Sequence, residues 1–232
     1  MQQIKHQIKE EDAQIVFLLE TDEEKCNLEA ITIEGFKTVV GEEGSEGTSR
    51  LMAFVADEIE FKIRNDLSSA DVSSLWIEIE RQHHKNLLIA GVYREWGNVN
   101  NPIKNRSKEQ QIQRIVKTED QIKKAKKKES KEIALIGDFN ICMEKTFSDI
   151  IEPKDSILIE VENGDKKDIS DYWQYVLAEN GLKFENLGRT WESHYVKNGE
   201  TLKSALSYRI VYFTLSRSYL IKDSNGNSKS IR

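Results

Sequence analysis

The chain has 232 residues, of which 38% are hydrophobic and 32% charged, and carries a net charge of −6. That is enough for one domain with a substantial core, polar but well away from disorder. It excludes a spanning helix, since no run of about 18 apolar residues occurs. It also excludes a broad basic face for nucleic acid, which usually makes a domain basic, so contact with phosphates has to be local or carried by a metal ion. The opening MQQIKHQIKEEDAQ lacks the apolar stretch of a signal peptide. Cys26 and Cys142 are too few for a disulfide framework and read as buried thiols in a reducing compartment.

Taken in chain order, Ile4 and Ile8 lie one helical turn apart and predict a helix over residues 1–12. IVFLLE, Ile15 to Glu20, reads as a buried strand ending on an acid. Residues 30–40 read as strand material around Gly35, and Gly41 to Ser49 as a flexible loop. LMAFVA (Leu51 to Ala56) and the following EIEFKIR read as a hairpin pair, because Ile59, Phe61 and Ile63 alternate with charges. LWIEIE (Leu75 to Glu80) and NLLIAGVY (Asn86 to Tyr93) form a second hairpin around RQHHK. Gln110 to Lys128 predicts a long polar helix with Ile112, Ile115, Val116 and Ile122 on one face. IALIGDFN, Ile133 to Asn140, is another buried strand. Ser170 to Asn180 is a helix closed by Gly181, short strands follow in RTWESHYV and SYRIVYFTLS, and the tail SNGNSKSIR reads as loose. The prolines, Pro102 and Pro153, fall in loops. No repeat or linker interrupts the chain. The expectation is a single α/β or α+β domain over 1–232, with about ten strands in two packed, mixed sheets.

Glu20 and Asp138 each close an apolar strand, so both carboxylates should emerge at strand ends, where a site can be fixed and open at once. Brought together they repel unless a cation lies between them, and hard oxygen ligands favour Mg²⁺. Gly137 permits a close backbone approach, and Asn140 adds an amide that can orient a phosphate oxygen or a water. Tyr93 ends a third apolar run with Arg94 beside it, and both are good phosphate partners. Each of these has a plainer reading: helix cap or turn for the acids, half-buried packing for the tyrosine. The run KKAKKK, Lys123 to Lys128, reads as a solvated helix end suited to the helix dipole. Trp76, Trp96, Trp173 and Trp191 read as core and rim packing. His6, His83 and His84 read as exposed.

VFLLET (Val16 to Thr21), GTSRLMAFV, GVYREW (Gly91 to Trp96), IALIGDFNI and GLKFENLGRTWES (Gly181 to Ser193) occur in that order. Together they resemble the endonuclease/exonuclease/phosphatase superfamily, and in particular the endonuclease domains of non-LTR retrotransposons. The resemblance implies a four-layer sandwich of two mixed sheets flanked by helices, here without the family's first and last strands. It implies a Mg²⁺-dependent (or Mn²⁺-dependent) phosphodiester hydrolase that nicks DNA inside the cell, in nucleus or cytoplasm. By the same resemblance Glu20 holds the metal, Tyr93 contacts the phosphate with Arg94 beside it, Asp138 positions or activates the attacking water, and Asn140 holds the phosphate. One family position is altered. Where relatives carry a late catalytic Asp, SALSYRIVYFTLS offers Ser207 or, in another alignment, Val211. Neither accepts a proton as a carboxylate does, so low activity is expected. His194 does not take the place of the family's late histidine. Two other functions stay open on the sequence: a phosphoesterase of the same superfamily acting on a phosphoinositide or phospholipid head group, and a non-catalytic remnant.

Overall fold

The computed structural model describes residues 2–10, 12–44, 47–81, 85–94, 108–127, 132–139, 141, 158–160, 164–182, 194–197, 200–203, 211–212, 219–222 and 228–231. Two four-stranded sheets organise it. The first has the order β12-β1-β3-β2, built from β1 (Ile15–Glu23), β2 (Phe36–Val40), β3 (Ser49–Ala56) and β12 (Val211–Tyr212). All its described pairings are antiparallel. The second has the order β4-β5-β6-β7, from β4 (Phe61–Ile63), β5 (Ser74–Ile79), β6 (Leu87–Tyr93) and β7 (Glu132–Asp138). It is mixed, because β6 and β7 run parallel.

Alternation along the strands decides how the sheets stack. Phe17, Leu51, Ala53 and Val55 of the first sheet share one core with Leu75, Ile77, Ile79, Leu87, Ile89 and Ile136 of the second. The residues between them point the other way. Val16, Met52 and Phe54 pack with Ile8 of α1 (Gln2–Glu10) and Leu28 of α2 (Lys25–Glu29). Trp76, Leu88, Ala90 and Val92 pack beneath α3 (Lys108–Lys127) and α4 (Ile169–Glu179). The result is helix, sheet, sheet, helix: an α/β sandwich of four layers. The outer helices are built for this. Ile169, Tyr172, Trp173, Val176 and Leu177 are buried at helical spacing on α4. Asp168 caps its start, accepting from the backbone N–H groups of Ser170 and Asp171 at 3.0 and 2.8 Å. Gly181, at φ +64, closes its end in a Schellman arrangement: its N–H donates to Ala178 and that of Leu182 to Leu177. Where α4 meets α3, the buried Glu119 accepts from the Tyr172 hydroxyl and pairs with Lys123 at 2.7 Å. No described helix is long and apolar enough to cross a membrane.

The structure departs from the sequence reading in several places. LMAFVA and EIEFKIR are not a hairpin. β3 already has β1 and β2 on its two edges, so the chain crosses at the wholly buried Ile59 and β4 joins the other sheet. β1 does not end at Glu20 but runs to Glu23 through a register shift. β7 is less buried than its apolar letters suggest: it has a described neighbour on one side only, and Ile136 is its one fully buried residue. The described part of the tail is paired rather than loose: β13 (Tyr219–Lys222) runs antiparallel to β14 (Ser228–Ile231). Another pair, β10 (His194–Lys197) and β11 (Glu200–Lys203), is antiparallel, as are β8 (Leu158–Glu160) and β9 (Lys166–Asp168). Fourteen strands are described rather than about ten. Cys26 is exposed, not buried. Trp76 and Trp173 are core residues as expected. Cys142, Trp96, Trp191, His83, His84, Pro102, Pro153 and Ser207 lie outside the described residues.

Phe17 of the first sheet lies directly on Gly91 of β6. A Cβ at Gly91 would collide with the Phe17 ring. Gly91→Ala should therefore destabilise the domain by about 1–3 kcal/mol, measured by urea unfolding. In a Phe17→Leu background, where the ring is gone, the same change should cost clearly less. Equal costs in the two backgrounds would show that this contact does not set the spacing of the sheets.

Candidate active site at the ends of three strands

The site begins with β6 and β7. They are parallel and in register along their whole length, so Tyr93 sits opposite Asp138 at their shared C-terminal end. Both follow the inward alternation of their strands, toward the other sheet. Gly137 makes the close pairing possible, because a Cβ there would run into the Val92 backbone. Beyond the last pair, Arg94 holds the turn: its backbone N–H donates to the Asp138 carbonyl at 2.8 Å, and its Nε donates to the Phe139 carbonyl at 2.6 Å. Arg94 is buried. The sequence reading placed it on the phosphate; the structure gives it a positioning contact to the segment that carries Asp138.

The third strand end is delivered by an irregularity. Phe17 and Leu19 face the inner core, and simple alternation would send Glu20 to the outer face. Instead Glu20 has φ +58 and Asp22 φ +45, both left-handed and costly for residues with a Cβ. The register with β3 shifts between Leu19 and Glu23, and Thr21 ties the bulge down by donating its hydroxyl to the Ser49 carbonyl at 2.7 Å. At the kink Glu20 is exposed at the strand end, near enough to the Tyr93 hydroxyl for its carboxylate to act on that group. Burial pushes the Tyr93 hydroxyl well above the usual phenol range, and the Glu20 hydrogen bond and charge push it the same way, with a smaller push from Asp138. Arg50 opposes them. Tyr93 is therefore a neutral hydrogen-bond donor at any ordinary pH.

Two further residues join the site that the sequence reading did not single out. Arg50, at the start of β3, places its guanidinium 5.9 Å from the centre of the Tyr93 ring and pairs with Asp22 at 3.0 Å. Arg114, on α3, is half-buried; burial lowers its pKa first and the charge of Arg50 next, while Asp71 and Tyr93 act against them. A signal for each was present. Arg50 begins the strand that pairs antiparallel with β1, so it starts beside the end of β1. Arg114 heads a helical stripe continued by the buried Thr118, Gln121 and Ala125. Asn140 lies outside the described residues. Val211, in β12, is paired with Phe17 on the edge of β1.

No three His, Cys, Asp or Glu side chains gather into a metal centre among the described residues. Glu20 and Asp138 both act on one hydroxyl, however, and two hard oxygen donors suit an ion that takes one or two carboxylates and keeps its waters.

No family model matches the chain, and no curated protein matches it. A solved structure does. The chain is similar to the endonuclease domain of TRAS1, a telomere-specific non-LTR retrotransposon, with 14% identity and a TM-score of 0.50, over 88% of this chain and 74% of that one. At that identity the likeness is one of fold, and it agrees with the α/β sandwich described above.

The left-handed backbone at Glu20 is directly testable. Glu20→Gly and Glu20→Ala both remove the carboxylate, and in an ordinary strand alanine is the more stable of the two. Here glycine should be more stable than alanine by about 1 kcal/mol, read from thermal or urea unfolding. Alanine equal to or better than glycine would rule out the kink.

Proposed function

We propose that this chain is a divalent-metal-dependent phosphodiester hydrolase that nicks DNA, of the retrotransposon endonuclease type and within the endonuclease/exonuclease/phosphatase superfamily. The observation that carries the reading is the convergence of Glu20, Tyr93 and Asp138 from three strand ends onto one hydroxyl. The fold likeness to a retrotransposon endonuclease domain supports it, as does the order of the sequence segments. DNA is favoured over a phosphoinositide or phospholipid head group because the structural neighbour is an endonuclease domain.

The roles proposed are those that the resemblance implies. Glu20 would hold the metal, with Mg²⁺ the expected ion and Mn²⁺ a substitute. The ion supplies charge stabilisation at the phosphate and its leaving oxygen. The Tyr93 hydroxyl, kept protonated by its burial and by Glu20, donates to a phosphate oxygen. Asp138, across the strand pair, positions the attacking water and takes its proton. Arg94 fixes the backbone of Asp138 and Phe139 so that this carboxylate is held at the strand end. Asn140 is assigned the phosphate by its place in GDFN. Ser207 and Val211 cannot supply a second acid–base carboxylate. Such a group typically contributes about 10² to 10⁴-fold, so we expect slow turnover from this chain.

The decisive assay is nicking of supercoiled plasmid with Mg²⁺ or Mn²⁺, with Asp138→Ala beside the unchanged protein. Slow nicking that EDTA abolishes, and that Asp138→Ala reduces by about 100-fold or more, is the expected result. Equal background from both proteins would leave the non-catalytic reading, and hydrolysis of a phosphoinositide without nicking would move the substrate to lipid.

A further inference from the structure

We infer that Arg50 is a positioning residue: a strut that ties the kinked end of β1 to the ring of Tyr93, so that the two sheets hold their halves of the site in one relation. The strut stands on contacts within the chain; its consequence for catalysis rests on the DNA-cleaving reading above.

The segment Glu20–Asp22 has to be held, because two of its three residues have left-handed backbone. Thr21 holds the middle, donating its hydroxyl to the Ser49 carbonyl at 2.7 Å. The next residue of β3, Arg50, holds the end, with its Nε 3.0 Å from Asp22. Both anchors lie within the first sheet. Arg50 then reaches the second, where its Cζ stands over the Tyr93 ring, 5.9 Å from the centre. A guanidinium can serve both partners at once, because its N–H groups point out along its edge while its face lies on an aromatic ring.

Burial decides which of the two contacts is the stronger. The Asp22 side chain is 54% exposed, and an ion pair at such a surface is weak by itself. The Arg50 side chain is only 20% exposed, and Tyr93 is buried. A cation held on an aromatic ring away from water gains more than one at the surface. The ring therefore fixes the guanidinium, and the guanidinium fixes Asp22. Tyr93 itself is set from the second sheet: its backbone N–H donates to the Ser73 carbonyl at 2.9 Å, and β7 lies in register beside it. Asp22 lies two residues past Glu20. The strut accordingly sets where the Glu20 end of β1 stands relative to Tyr93, the spacing that an ion and a phosphate shared between them would need.

The test reads coupling between Asp22 and the Tyr93 ring, without metal or DNA. Asp22→Asn is measured by urea unfolding in Tyr93→Phe and Tyr93→Leu backgrounds. Both lack the hydroxyl, so the cycle compares a ring with no ring. Asp22→Asn should lower the folding equilibrium constant about fivefold more with the ring than without it, and adding Arg50→Gln should remove the difference. A second readout leaves the tyrosine in place: the fluorine NMR signal of Tyr93 in fluorotyrosine-labelled protein. Asp22→Asn should shift that signal, and should not shift it in Arg50→Gln protein. In plasmid nicking, Arg50→Gln should lower kcat about tenfold or more, with KM changed by less than about twofold. Absent coupling, coupling that survives Arg50→Gln, or a loss confined to KM would overturn the strut. Coupling and the fluorine response in a protein that never nicks would support the strut and reject the cleavage reading. Nicking by Arg50→Gln protein at unchanged kcat would reject the strut and leave the cleavage reading standing.

Discussion

The contact between the Phe17 ring and the bare backbone of Gly91 sets the geometry of everything else. It lets the middle of β1 lie directly on the middle of β6. Glu20 is three residues beyond Phe17, and Tyr93 two beyond Gly91, so the two strand ends arrive together. β7 then follows without further instruction, since its parallel register with β6 fixes Asp138 beside Tyr93. The helix between those strands, α3, has to pass over the outer face of the sheet, as a parallel crossover requires. That passage is what brings Arg114 to the same end of the sandwich.

Bringing acids to one place is only half of a site; they also have to point into it. Regular alternation delivers Asp138 and Tyr93 inward but would turn Glu20 away. The left-handed kinks at Glu20 and Asp22 break that alternation, at a cost of the order of 1–3 kcal/mol for each such residue. The cost is offset by the Thr21 hydrogen bond and the Asp22–Arg50 pair. Strain maintained at a cluster of carboxylates, rather than at a plain turn, is the kind of irregularity that function retains.

Much of the fold was legible because burial leaves a periodic trace. The apolar runs LWIEIE and NLLIAGVY on either side of the polar RQHHK named a hairpin, and Ile115 and Ile122 named the buried face of α3, all as found. The failures have a common cause: alternation says which residues are buried but not against which sheet. EIEFKIR alternates well enough to be a strand, yet nothing local says that Ile59 plugs the gap between sheets and β4 pairs with β5. The apolar letters of IALIGDFN suggest a buried strand, but among the described residues β7 has a neighbour on one side only. The site shows the same division. Glu20, Tyr93 and Asp138 were visible as polar residues at the ends of apolar runs. Arg50 and Arg114 were not, since their relevance arises from tertiary placement. Arg94 was visible too, and the structure adds its contacts to the backbone of Asp138 and Phe139.

The central claim is that the kinked end of β1 and the paired ends of β6 and β7 form one metal-binding, phosphodiester-cleaving centre. The most direct measurement is a crystal structure of the chain grown with Mn²⁺, with the ion located by its anomalous scattering. The account predicts a manganese peak within coordinating distance of the Glu20 carboxylate, on the side facing Tyr93 and Asp138, and its loss in Glu20→Gln. Manganese bound elsewhere, or an ordered strand end with no manganese beside Glu20, would contradict it.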